Sequence, residues 1–86
     1  MKNLSTEERV ASVFVEMFGI SKGSINRQSR LHEDMDIDSV GILRLNVRLE
    51  NEFEVEITEG TAEQFQTFGQ VVDYIGNALE QKTPTS

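Results

Sequence analysis

The pattern of the stretch DSVGILRLNVRLENEF, residues 38–53, fits two different secondary structures, a strand and a helix, and the fold depends on which of them forms. Every second side chain from residue 43 to residue 49 is apolar, which is the pattern of a half-buried strand. In a helix, where successive residues are about 100° apart, the same residues would form one polar side and one broad apolar side. The polar side of that helix would contain Gly41, Arg44, Arg48, Asn51 and Glu52. Asp38 and Ser39 are both good helix N-caps, so we favour the helix and leave the strand open.

The flanking segments predict further helices. Ser5 and Glu8 fit a capping box, and Gly19 suits the left-handed residue that ends a helix, so we expect a first helix over about residues 6–18. Thr67 and Gln70 fit a second capping box before a last helix. A short helix is expected from about Thr61 to Gln66. We therefore predict an all-α fold, a small four-helix bundle of three longer helices plus a short one, with a long loop between the first two.

Composition excludes several kinds of function. The chain of 86 residues has no cysteine and one histidine, which excludes disulfides, a cysteine nucleophile and a site with several histidines. Its net charge of −7 disfavours nucleic acid and anionic lipid as partners. No apolar run approaches the ~20 residues that cross a bilayer, and the N-terminus does not resemble a signal peptide. We expect a cytoplasmic, non-enzymatic domain over residues 1–81, complete in itself, with residues 82–86 as a disordered tail.

The acidic stretch EDMDIDSVGIL, residues 33–43, has three possible roles. Alternate aspartates fit the start of an EF-hand loop, but Leu45 stands where that loop needs a bidentate glutamate. Asp38 or Ser39 could simply cap a helix. The third role is covalent attachment at Ser39, because the positive end of a helix dipole favours a phosphodiester. His32, in the same loop, is expected to be solvated.

The run DMDIDSVGILRLNVRLENEFEVEI, residues 34–57, resembles the modification region of acyl carrier proteins. Asp38, Ser39 and Val40 match the family's Asp-Ser-Leu motif, with valine in place of leucine. The Phe18-Gly19 pair and the final segment TFGQVVDYIGNAL follow in family order, so the resemblance covers about residues 5–80.

The resemblance implies that Ser39 carries a phosphopantetheine arm, added by a phosphopantetheinyl transferase, and that Asp38 and Val40 flank this attachment site. The chain would then be a monomeric carrier in fatty-acid, polyketide or related biosynthesis, exchanging acyl thioesters with acyl-loading and acyl-accepting enzymes. An acyl chain would slide between the helices, and the candidate lining residues are Val40, Leu43, Val47, Phe53 and Ile75. We expect Val47 and Leu31 to be buried, so that an aspartate at either position would unfold the bundle. A D-alanyl or peptidyl carrier and an unmodified acidic interaction module are the alternatives.

One face departs from the family pattern. Family members usually present acidic residues along the exposed side of the second helix, where basic partners dock. Here that side has Gly41, Arg44 and Arg48, with Glu52 remaining. We predict that these residues form a docking face that distinguishes a specialised carrier from a housekeeping one; ordinary surface drift is the alternative. Gly41 would either loosen the helix start or let a partner approach.

Overall fold

The computed structural model describes residues 5–82, without the side chain of Lys82, and consists of helices. The elements are α1 (Thr6–Phe18), α2 (Ser39–Phe53), α3 (Glu59–Glu63) and α4 (Phe68–Lys82). The loop between α1 and α2 contains a 3-10 turn, Lys22–Ser24, and an isolated antiparallel bridge joins Arg30 to Thr67. No strand occurs in residues 5–82, so the all-α prediction and the helical interpretation of residues 40–53 are confirmed.

Two boundaries differ in detail from the sequence prediction. The short helix begins and ends earlier than expected, at Glu59 and Glu63. The last helix includes Lys82, which had been assigned to the tail, and residues 83–86 lie outside the described part of the chain.

Local hydrogen bonds explain where the helices begin. The amide of Glu8 donates to Ser5 Oγ and the amide of Ser5 donates to Glu8 Oε1, each at 3.1 Å. At the start of α4 the amide of Gln70 donates to Thr67 Oγ1 at 3.3 Å, and that of Thr67 donates to Gln70 Oε1 at 3.1 Å. Both predicted capping boxes are therefore present. Gly19 ends α1 with a φ of 67°, as the sequence predicted.

Apolar side chains from the helices and from the long loop share one core. Phe14 of α1 meets Phe68 of α4 edge-on, with ring centroids 5.3 Å apart. The guanidinium of Arg9 lies 4.4 Å from the ring centroid of Phe53, which ties α1 to the end of α2. Leu31 is fully buried, so the long loop is anchored in the core as predicted.

Backbone contacts also fix the long loop against the start of α4. The amide of Leu31 donates to the carbonyl of Gln66 and the amide of Phe68 to that of Ser29, both at 2.9 Å. Gly69 is required here, because a Cβ at that position would lie 2.9 Å from the carbonyl oxygen of Arg27. The segment that leads to Ser39 is therefore held by the bundle at several points.

Candidate functional site

The hydroxyl of Ser39 is exposed at the first position of α2. Asp38, the residue before it, is the N-cap, and its carboxylate accepts a 2.8 Å hydrogen bond from the amide of Gly41. The carbonyl of Asp38 accepts the next bond, from the amide of Ile42 at 2.9 Å. Asp38 supplies the N-cap, so the Ser39 side chain is not needed for this role. Ser39 is therefore the first residue of the helix and is exposed to solvent.

Gly41 lies where the start of α2 meets the end of α1. A Cβ at this position would be 2.8 Å from Cγ2 of Ile37 and 3.5 Å from Cε1 of Phe18. Ile37 is itself almost fully buried. Close intramolecular packing therefore accounts for this glycine, a reason that neither of the two sequence hypotheses included.

The acidic residues before Ser39 have contacts within their own loop. Asp34 accepts a 2.8 Å hydrogen bond from the amide of Arg30, and Glu33 pairs with the guanidinium of the same arginine. Asp36 has a φ of 57°, a left-handed conformation that aspartate tolerates. Within residues 5–82 no three histidine or acidic side chains converge on a possible metal position. The acidic stretch thus shapes the loop that presents Ser39.

A cleft of about 340 Å³ opens beside Ser39, between α2 and α3. Its apolar walls are formed by Ile42, Leu43, Ala62 and Phe65. Its polar lining consists of Ser39, His32, Glu59 and Glu63. A group attached to the Ser39 hydroxyl would therefore start at the mouth of a largely apolar cleft. His32 is exposed, as expected, and contributes to this lining.

The predicted acyl-lining residues fall into three different environments. Leu43 lines the cleft. Phe53 and Ile75 are buried in the core, where they do not border the cleft. Val40 and Val47 lie on the surface, 61% and 57% exposed. The expectation that Val47 is buried was wrong, because the apolar side of α2 is broader than the part that the other helices cover.

Of the apolar residues that form the cleft walls, only Leu43 was predicted from the sequence. Ile42 belongs to the same apolar side of α2 as Leu43, so its place could have been inferred from the helical arc. Ala62 and Phe65 are three residues apart and follow the glutamate-rich residues 50–59. Their spacing was the available signal, but only the packing of α3 onto α2 shows which cleft they face.

The predicted basic docking face is smaller than the sequence implied. Arg48 pairs with Glu16 of α1, and its Nε lies 3.6 Å from Oε1 of Glu52. The hydrogen bond to Glu16 is the main reason that the pKa of Arg48 is raised above its ordinary value. Arg44 is exposed, and within residues 5–82 it forms no ion pair with Glu16 or Glu52. Of the two arginines, Arg48 is therefore held by carboxylates of the same chain.

Comparison with known proteins identifies the family. A family profile described as "Phosphopantetheine attachment site" matches residues 8–75. The acyl carrier protein of Chlamydia caviae is 39% identical over 72 residues, which cover 84% of this chain and 94% of that protein. The chain belongs to the acyl carrier protein family. The acyl carrier protein of Chlorobium phaeobacteroides is 35% identical over 75 residues, covering 87% of this chain and 96% of that protein.

Membership of the acyl carrier protein family establishes covalently attached phosphopantetheine as the cofactor, as the sequence resemblance implied. The residues around Ser39 fit such a group. An exposed hydroxyl offers the oxygen for a phosphodiester, and the start of a 15-residue helix favours the negative charge of the phosphate. The cofactor supplies a thiol, which a chain without cysteine otherwise lacks. None of the helices in residues 5–82 is long and apolar enough to cross a membrane.

Proposed function

We propose that Ser39 is the phosphopantetheine attachment site and that the chain carries acyl groups as thioesters on this arm. The observation that carries the proposal is the exposed Ser39 hydroxyl at the start of α2, with Asp38 as the cap and the cleft alongside. The Ser39 oxygen forms the new phosphodiester bond, and the nucleotide part of coenzyme A leaves. A phosphopantetheinyl transferase supplies the base that takes the proton, and this chain then acts as a carrier without making bonds itself.

The cleft between α2 and α3 gives the acyl chain a shelter from water. Each methylene that enters an apolar cavity contributes about 0.8 kcal/mol. Leu43 and Ile42 form the α2 wall, while Phe65 forms part of the opposite wall. Phe53 and Ile75 belong to the buried core and do not border the cleft. This role fits a carrier in fatty-acid, polyketide or related biosynthesis, in the cytoplasm and as a monomer.

The docking surface for acyl-loading and acyl-accepting enzymes is the exposed side of α2. Val40, Leu43 and Val47 are each more than half exposed and follow one another at helical spacing. Arg44 lies beside this apolar stripe at helical spacing, whereas Arg48 and Glu52 lie close enough to form an ion pair with each other. A carrier with this surface is specialised for partners that do not rely on an acidic second helix. Equal loading by a housekeeping acyltransferase of this chain and of its usual carrier would contradict specialisation.

The attachment site is tested by incubating the purified chain with coenzyme A, magnesium and a permissive transferase and measuring the intact mass. The wild type should gain one phosphopantetheine, and Ser39→Ala should gain none. Ser24→Ala is the control, since Ser24 is an exposed serine in the loop that leads to α2, and this variant should be modified like the wild type. A mass gain in Ser39→Ala, or none in the wild type with several transferases, would refute the assignment.

A further inference from the structure

Among the described residues that line the cleft beside Ser39, His32 is the one whose side chain can carry a positive charge. The other polar residues of the lining are Ser39 itself and two glutamates of α3, Glu59 and Glu63. Ionised carboxylates only accept hydrogen bonds, whereas an imidazole always has an N–H group to donate. Once the Ser39 hydroxyl is esterified, the imidazole is therefore the side-chain donor that remains in this lining.

A backbone hydrogen bond holds the loop around His32 against the segment that presents Ser39. The amide of Ile37 donates to the carbonyl of Leu31 at 2.9 Å, and both of these residues are buried. His32 follows Leu31 directly, and Ser39 comes two residues after Ile37. Both side chains therefore extend from backbone that the core holds in place. The loop brings the imidazole and the hydroxyl to the same cleft, although seven positions separate them in the sequence.

The imidazole of His32 is exposed, and within residues 5–82 it forms no hydrogen bond and no ion pair. The charged residues near it in the loop have other partners. Arg30 and Glu33, which line a neighbouring cleft together with His32, pair with each other. Asp38 accepts the capping hydrogen bond at the start of α2. The imidazole is therefore available to a group that occupies the mouth of the cleft beside Ser39.

We propose that His32 positions the phosphopantetheine arm by donating a hydrogen bond from its imidazole to the phosphodiester on Ser39. This inference rests on the proposed attachment site. The two glutamates of α3 repel an anion at the cleft mouth, whereas a protonated imidazole forms a charge-assisted hydrogen bond with a phosphate. This contact keeps the start of the arm on the cleft side of α2, where an acyl chain can enter. Because an exposed charge pair is weak, the arm still exchanges between held and free positions.

The test is a phosphorus NMR titration of the loaded protein, prepared without a histidine tag and with loading first checked by intact mass. Histidine ordinarily gains its proton between about pH 8 and pH 5, whereas a phosphodiester stays ionised throughout. The phosphorus chemical shift of the wild type should therefore change with pH along the same curve as the imidazole signals. These signals belong to His32, because the chain has one histidine. They should also differ between the loaded and the unloaded protein.

His32→Gln is the matched variant, since glutamine keeps a donor but gains no proton. It should still accept the arm, and its phosphorus signal should stay constant over the same pH range. Glu33→Gln is the control, because it neutralises the next residue of the loop, and it should keep the wild-type curve. A constant phosphorus signal in the wild type, or the wild-type curve in His32→Gln, would overturn the inference and leave the attachment site intact. Failure of the wild type to gain the arm would instead contradict the proposed function, at the mass measurement that precedes the titration.

Discussion

Replacing Gly41 by alanine should destabilise the protein, although alanine is the better helix former. The propensity difference alone would stabilise a helix by about 1 kcal/mol. Against this, the new methyl group would lie 2.8 Å from Cγ2 of Ile37 and 3.3 Å from Oδ1 of Asp38. Ile37 is 3% exposed and β-branched, so it has little freedom to turn away. Overpacking of this kind costs about 1–3 kcal/mol, and we expect a net loss of about 1 kcal/mol.

Gly76→Ala is the matched control for this prediction. Gly76 lies inside α4, and a Cβ there would have no neighbouring atom within 4 Å. The substitution should therefore stabilise by about 1 kcal/mol. Urea unfolding followed by circular dichroism should give midpoints on opposite sides of the wild type, with similar slopes. If both alanine variants were equally stabilised, the close packing of Ile37 beneath the start of α2 would be wrong.

Four further substitutions test burial, pairing and capping. Leu31→Asp should prevent folding, since Leu31 is fully buried and an unpaired charge costs several kcal/mol there. Val47→Asp should change the free energy of unfolding by less than about 0.5 kcal/mol, because Val47 is exposed. Loss of helical circular dichroism in Val47→Asp would contradict the surface position of Val47. Asn46→Leu should raise the free energy of unfolding by about 1 kcal/mol, because it removes an unpaired buried acceptor, and a marked loss in a urea titration would show that the amide has a partner. Asp38→Ala should lower the free energy of unfolding by about 1 kcal/mol, because the N-cap of α2 is lost. An unchanged urea midpoint would contradict the capping role of Asp38.

The sequence predicts where α1, α2 and α4 begin, because these helix starts depend on neighbouring residues. The Ser5–Glu8 and Thr67–Gln70 capping boxes each join residues three apart, and both can be recognised from residue type and spacing in the sequence. The N-terminus of α2 at Ser39 follows from the same local chemistry. The family resemblance and the cofactor depend on the Asp38-Ser39-Val40 motif together with the order of the segments around it, so both can be inferred from the amino-acid sequence alone.

The faces of α2 could not be predicted in the same way. The apolar side chains of this helix cover more of its circumference than the other helices bury. The exposure of Val47 therefore depends on where those helices lie. The partner of Arg48 is Glu16, which is 32 residues away in the chain. The cleft walls depend on how α3 packs, and no local pattern fixes that arrangement. These features follow from tertiary contacts.

Peptide mapping after transferase treatment shows directly whether Ser39 is the residue that carries the phosphopantetheine. Trypsin cuts after Arg30 and Arg44 and releases LHEDMDIDSVGILR, in which Ser39 is the only residue with a hydroxyl group. Tandem mass spectrometry should find the phosphopantetheine on this peptide and on no other. If the intact protein gained the arm while this peptide kept its unmodified mass, Ser39 would not be the attachment site.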